Sequence, residues 1–183
     1  ESVEDIISFY LSREEQLMQI EILAKSGDIP IRVVHNDTKI DNLLFIHKKA
    51  VAVIDLDTVG PGLVFYDYGD ALRTGANSTK EDERDLDRVD FNIEYFYEFT
   101  NGYLSNTAHI LTKYELEYLH ISPILMTYIM GIRFLTDYLN GDVYYRIDSE
   151  DHNLVRTKVQ KRLIESIESK QSMLKQIIKS LIQ

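Results

Sequence analysis

Apolar residues recur at helical spacing through both ends of the chain and at strand spacing over one short stretch between them. Residues 2–10 and 12–25 read as two helices. A Ser12/Glu15 capping box opens the second, and Leu17, Ile20, Ile22 and Leu23 stripe it. Gly27 and Pro30 end that pattern. Residues 31–34, 43–46 and 50–54 are short β-rich runs, and the polar His47-Lys48-Lys49 between the last two predicts a tight hairpin. Beyond Gly62 the spacing is helical again, over 65–74, over about 84–103, and after a Thr112/Glu115 capping box. Ser122-Pro123 supplies a fresh helix start, and the helix through Leu139 is apolar on most sides, as expected of a buried one. A last amphipathic helix covers 153–181 through Leu154, Leu163, Ile164, Ile167, Leu174, Ile177 and Ile178. The pattern predicts an α+β fold, a mainly helical body carrying a small β insert.

Composition narrows the class. A chain of 183 residues, 44% apolar and 27% charged, suits one soluble unit spanning 1–183. The longest charge-free run, Ile121 to Ile132, falls short of the roughly 20 apolar residues of a membrane span. No basic-then-apolar leader opens the chain, so a cytoplasmic protein with no membrane partner is expected. With no cysteine, disulfides, thiolate metal sites and a cysteine nucleophile are excluded. The formal net charge of −10 speaks against a nucleic-acid partner, since the densest basic cluster is only Lys158, Lys161 and Arg162. His109, His120 and His152 match no metal-ligand spacing.

The unusual polar residues gather in the β insert. A β run delivers His35-Asn36-Asp37, and Asn42 follows five residues after the aspartate, just before the next β run. The hairpin then ends in Ile54-Asp55-Leu56-Asp57. Carboxylates and an amide therefore sit on short loops at neighbouring strand ends. Phosphoryl transfer needs such groups: one carboxylate to orient the accepting hydroxyl and take its proton, and hard oxygen donors to hold Mg²⁺ against a nucleotide's phosphates. By average residue usage, His-x-Asp-x₄-Asn arises by chance on the order of once in a hundred chains of this length.

His35-x-Asp37-x₄-Asn42 followed by Ile54-Asp55 resembles the catalytic loop and metal aspartate of the kinase-like fold, in its aminoglycoside phosphotransferase and choline kinase branch. Tyr66-Asp67-Tyr68-Gly69-Asp70 is similar to that branch as well. The runs from His35 to Ile40, Gly69 to Ala76 and Arg133 to Asp142 look like N-acetylhexosamine 1-kinases, which carry ATP's terminal phosphate to the anomeric hydroxyl of an amino sugar. The resemblance implies that Asp37 is the catalytic base, that Asn42 and Asp55 hold Mg²⁺ and the nucleotide, that His35 braces the loop, and that Arg133 and Tyr144 contact the sugar. It also implies an N-terminal lobe with a glycine-rich loop and a strand lysine. Neither occurs in these residues, and the chain opens at Glu1 in a helical pattern. The expectation is a kinase-like C-terminal lobe, inactive alone, whose partner is the missing N-terminal lobe.

Several residues have a second reading. Asp57 is either a further metal ligand or a cap for the turn to Gly60-Pro61-Gly62, and the strand period would place it on the side of Asp55. Asp67 and Asp70 suit a helix start through the dipole alone. Arg133, inside an apolar helix, suits a buried ion pair as well as a sugar hydroxyl. Asp55-x-Asp57-x-Val59 is also similar to the nucleophile motif of haloacid-dehalogenase-type phosphatases, a rival that requires alternating strands and helices in a parallel sheet. A third reading is a sugar-binding or regulatory lobe whose carboxylates are idle.

Overall fold

A computed structural model describes residues 2–183. Two helices open the chain, α1 (Val3–Leu11) and α2 (Glu14–Ser26), followed by β1 (Arg32–Val34), β2 (Leu43–Ile46), β3 (Lys49–Val53) and β4 (Gly60–Gly62). Five helices complete it: α3 (Val64–Gly75), α4 (Ile93–Thr107), α5 (Lys113–Tyr118), α6 (Ser122–Leu139) and α7 (His152–Leu181). The α+β expectation holds. The strands form two separate antiparallel pairs, β1 with β4 and β2 with β3. No parallel pair occurs among the described residues, which removes the sheet that the phosphatase reading requires.

The core is built around α6, which packs against α3 on one side and α7 on the other. Phe65, Tyr68 and Leu72 from α3, Ile124, Leu125 and Leu135 from α6, and Val159, Leu163, Ile164 and Ile167 from α7 are all buried. Residues 113–139 are long and apolar enough to cross a membrane by length and composition, yet 61% of the most apolar window is buried inside the fold. That burial is what a core helix shows. The α3–α6 contact is close because position 69 has no side chain: a Cβ on Gly69 would lie 2.3 Å from the Ser122 carbonyl oxygen. Arg32 on β1 ties the small sheet to α5 through a two-point ion pair with the fully buried Glu115, at 2.7 and 2.8 Å.

Local signals explain most element boundaries, and the departures have physical reasons. Ser12 does not cap α2. Its hydroxyl donates to the Phe9 carbonyl and closes α1 instead, while the capping box that forms is Ser2 with Asp5. The Thr112/Glu115 box forms as expected. Ile22 is exposed, so of the α2 stripe Leu17 and Ile20 are buried in the core and Leu23 packs against it half-buried. The helix expected from about residue 84 begins at Ile93, because Asn92 caps it there and Asp85 caps a separate short turn at 86–88. Residues 60–62 form an unexpected strand. Gly60-Pro61-Gly62 lies on the edge of a two-stranded sheet, where proline need not donate.

Candidate active site

The His35–Asn42 loop leaves β1 at the buried Val34 and is clamped from two sides. Asp67, in the first turn of α3, accepts the backbone N–H of His35 at 2.7 Å and of Asn36 at 2.8 Å, and its own carbonyl accepts the Thr38 hydroxyl at 2.6 Å. From the other side, the Thr58 hydroxyl donates to the His35 carbonyl at 2.7 Å, and the Asn36 amide donates to the Thr58 carbonyl at 3.1 Å. His35 Nε2 lies 3.0 Å from the Ile54 carbonyl, which can only accept, so the ring proton is on Nε2. His35 is a brace, as expected. Asp67 is more than a helix-dipole partner, because it fixes the loop's main chain. Asn36 adopts a left-handed conformation at φ 65°, a cost that asparagine tolerates better than most residues.

This clamping aims Asp37 into open space. Its Oδ2 accepts from Lys39 Nζ at 2.7 Å and from Asn42 Nδ2 at 2.9 Å. Its Oδ1 has no partner among the described residues. Burial pushes the Asp37 carboxyl up, but the Lys39 ammonium and the Asn42 amide outweigh it and hold the group below its ordinary range. Lys39 is raised in turn, chiefly by its bond to Asp37. The buried Asn42 spends its N–H₂ group on the Asp37 carboxylate and carbonyl, leaving the amide oxygen free of that bond.

Asp55 stands at the end of β3, exposed and left-handed at φ 62°. The Ile54 N–H donates to the Asn42 carbonyl at 3.0 Å, so the segments carrying Asp55 and Asn42 are stitched together. Asp57 is not placed beside Asp55 by strand alternation, because β3 stops at Val53 and Leu56–Thr58 is a 3-10 turn. Among the described residues no three acids or histidines are gathered so as to hold a metal by themselves. Asn42, Asp55 and Asp57 nonetheless offer hard oxygen atoms, a donor set that fits Mg²⁺ shared with waters and phosphates rather than caged by protein.

Asp37 opens on a cleft of about 910 Å³ whose walls also include Lys39, Arg73, Arg133, Tyr144 and Tyr145. The structure therefore brings Arg133 and Tyr144 to the cleft of Asp37, while Asp55 and Asp57 stand outside its walls. Arg133 is exposed and forms no ion pair among the described residues. Its guanidinium lies 5.9 Å from the Tyr144 ring centre and 5.6 Å from that of Tyr145, which replaces the buried-pair reading. It is Arg73 that makes the buried pair, with Asp70 at 2.8 Å and with Glu81.

Asp137, near the end of α6, was not singled out by sequence and shapes the far wall. Its carboxylate accepts the backbone N–H groups of Val143, Tyr144 and Tyr145 at 3.0, 2.8 and 2.9 Å, and the Asn153 amide at 2.9 Å. Burial would raise it, but those backbone bonds and Asn153 prevail and hold it below the usual carboxylate range. The only sequence signal is an acid just before the Asn140-Gly141 helix stop.

A braced loop that leaves one Asp37 carboxylate oxygen unpartnered in the wall of a cleft lined by cations and aromatic rings suits a group-transfer enzyme. The APH model, described as the phosphotransferase enzyme family, matches residues 7–103, and the chain belongs to that family. The match takes in the Asp37 loop, Asn42, Asp55, Asp57 and Asp67; Arg133 and Tyr144 lie beyond it.

Proposed function

We propose that this chain is the acceptor-side lobe of an ATP- and Mg²⁺-dependent kinase acting on a sugar hydroxyl. The observation that carries the reading is the unpartnered Oδ1 of Asp37, a carboxyl kept ionised by Lys39 and Asn42 in the wall of the cleft. As the acceptor oxygen bonds to the terminal phosphorus of ATP, its proton passes to Asp37 Oδ1 and the bond to the ADP oxygen breaks. Asn42 and Asp55, with Asp57 as the alternative acid, would hold Mg²⁺, which neutralises charge on the phosphates when bound. By resemblance, the acceptor is the anomeric hydroxyl of an N-acetylhexosamine, with Arg133 and Tyr144 against the sugar.

The β2–β3 hairpin supports a covering lobe over the nucleotide side. Leu44, Phe45, Ile46, Val51 and Val53 are all about half exposed, an apolar surface of the kind that partners bury. A cytoplasmic setting fits the ATP requirement and belongs to the same proposal. The test is a screen of hexosamines, choline and aminoglycosides with ATP and Mg²⁺ in a full-length protein carrying this lobe. Sugar-phosphate formation that disappears in Asp37→Asn is expected; transfer undiminished by that change removes Asp37 from the reaction.

A further inference from the structure

The cleft departs in charge from the molecule around it. The chain carries a net −10, yet six cations line this one cleft beside only four carboxylates. Lys39 is engaged by Asp37, and Arg73 by Asp70 and Glu81. Arg133, Arg146 and Arg156 pair with no carboxylate among the described residues. Arg156 spends Nη1 on two neutral oxygens, the Arg146 carbonyl and Asn153 Oδ1, both at 3.2 Å. Its Nε is buried with no partner, and the buried hydroxyl of Tyr145 in the same wall is also unpartnered. Unpaired buried donors are costly, and the fold offers them no acceptor.

This wall is also prebuilt. Arg156 lies 5.5 Å from the Phe134 ring centre, Arg133 sits over Tyr144 and Tyr145, and Asp137 pins the backbone that carries both tyrosines. Guanidinium groups so placed are suited to an anion with oxygens in one plane or fork.

We infer that the acceptor is an acidic derivative of the proposed sugar, its carboxylate or phosphate monoester held by Arg133, Arg146 and Arg156 while its hydroxyl faces Asp37. The position of the hydroxyl rests on the kinase reading; the charge preference does not. An acidic hexose derivative meets the requirement, and a polycationic acceptor or choline meets repulsion.

The experiment is calorimetric titration of the full chain, without nucleotide, with four ligands: N-acetylglucosamine, its 6-phosphate, glucuronic acid and glucosamine. One or both acidic sugars should bind about tenfold or more tightly than N-acetylglucosamine, with glucosamine weakest, as expected where charge-assisted bonds are gained. Arg146→Gln, at an exposed position where the fold is not at stake, and Arg133→Gln should each erase most of that margin. The two acidic sugars separate a phosphate preference from a carboxylate preference. Equal or tighter binding of the neutral sugar overturns the inference and leaves the kinase reading standing. So does displacement of the acidic sugar by ATP at concentrations where inorganic phosphate has no effect, since the arginines would then belong to the nucleotide. A charge preference that persists in a full-length protein transferring phosphate to none of these sugars removes the hydroxyl from Asp37 and leaves only the anion preference standing.

Discussion

One oxygen of Asp37 is held by Lys39 and Asn42 while the other has no partner among the described residues, a division that suits the proposed base. In a full-length protein, Asp37→Asn should cut transfer by ~10²–10⁴, the usual worth of a positioned base, with thermal melting nearly unchanged. Retention of more than a tenth of the rate would sink the assignment. Lys39 offers a finer test. It helps hold the Asp37 carboxyl low, so Lys39→Met raises that pKa, protonates the base at higher pH, and moves the acid limb of kcat/KM upward. An acid limb at the same pH in both proteins would show that another group titrates. The contact between Asp37 and Asn42 was legible because the two lie five residues apart. Asp67 was not, because its partners lie 31 and 32 residues away and nothing in the sequence near it points to them.

At the scale of elements, the helices and the hairpin were legible from apolar spacing and from capping or turn residues. His47 and Lys48 both adopt positive φ, as a two-residue hairpin turn demands. What escaped were the crossings and clamps, which depend on residues far apart in sequence. Two substitutions probe them. Gly69→Ala drives a methyl group to within 2.3 Å of a backbone carbonyl between α3 and α6, and a loss of about 1–3 kcal/mol in urea unfolding is expected. Stability equal to the parent would mean that the α3–α6 crossing can open freely. Asp67→Ala strands two loop N–H groups. It should cost activity at least tenfold with little change in the KM of either substrate, because the loop's aim is lost rather than a ligand contact. A rise in KM alone would assign Asp67 to binding.

For the molecule as a whole, acid sensitivity follows from the same groups. Asp37, Asp90, Glu115 and Asp137 all lie below their ordinary range, because cations or N–H donors hold them ionised. A carboxyl with a depressed folded value contributes stability above its unfolded pKa of about 4 and loses it as pH falls through the folded one. Melting temperature should therefore be nearly flat from pH 7 to about 5 and drop steeply below about 4. A maximum on the acid side would contradict this set of interactions. These 183 residues should also fold cooperatively yet turn over no ATP, since no glycine-rich loop occurs among them to cover the phosphates. Steady turnover in a coupled assay would refute the two-lobe reading.

The hairpin has a mechanical consequence. Asn42 precedes β2 and Asp55 follows β3, and the Ile54–Asn42 bond closes the ribbon at its root while the turn at His47 and Lys48 stands free. It is a cantilever. That root is not independent of the base loop: the Asn42 amide donates to the Asp37 carbonyl and carboxylate, and His35 Nε2 to the Ile54 carbonyl, so ribbon root and loop are one bonded unit. Whatever leans on the ribbon thus bears on the Asp37 loop as well, through the root they share.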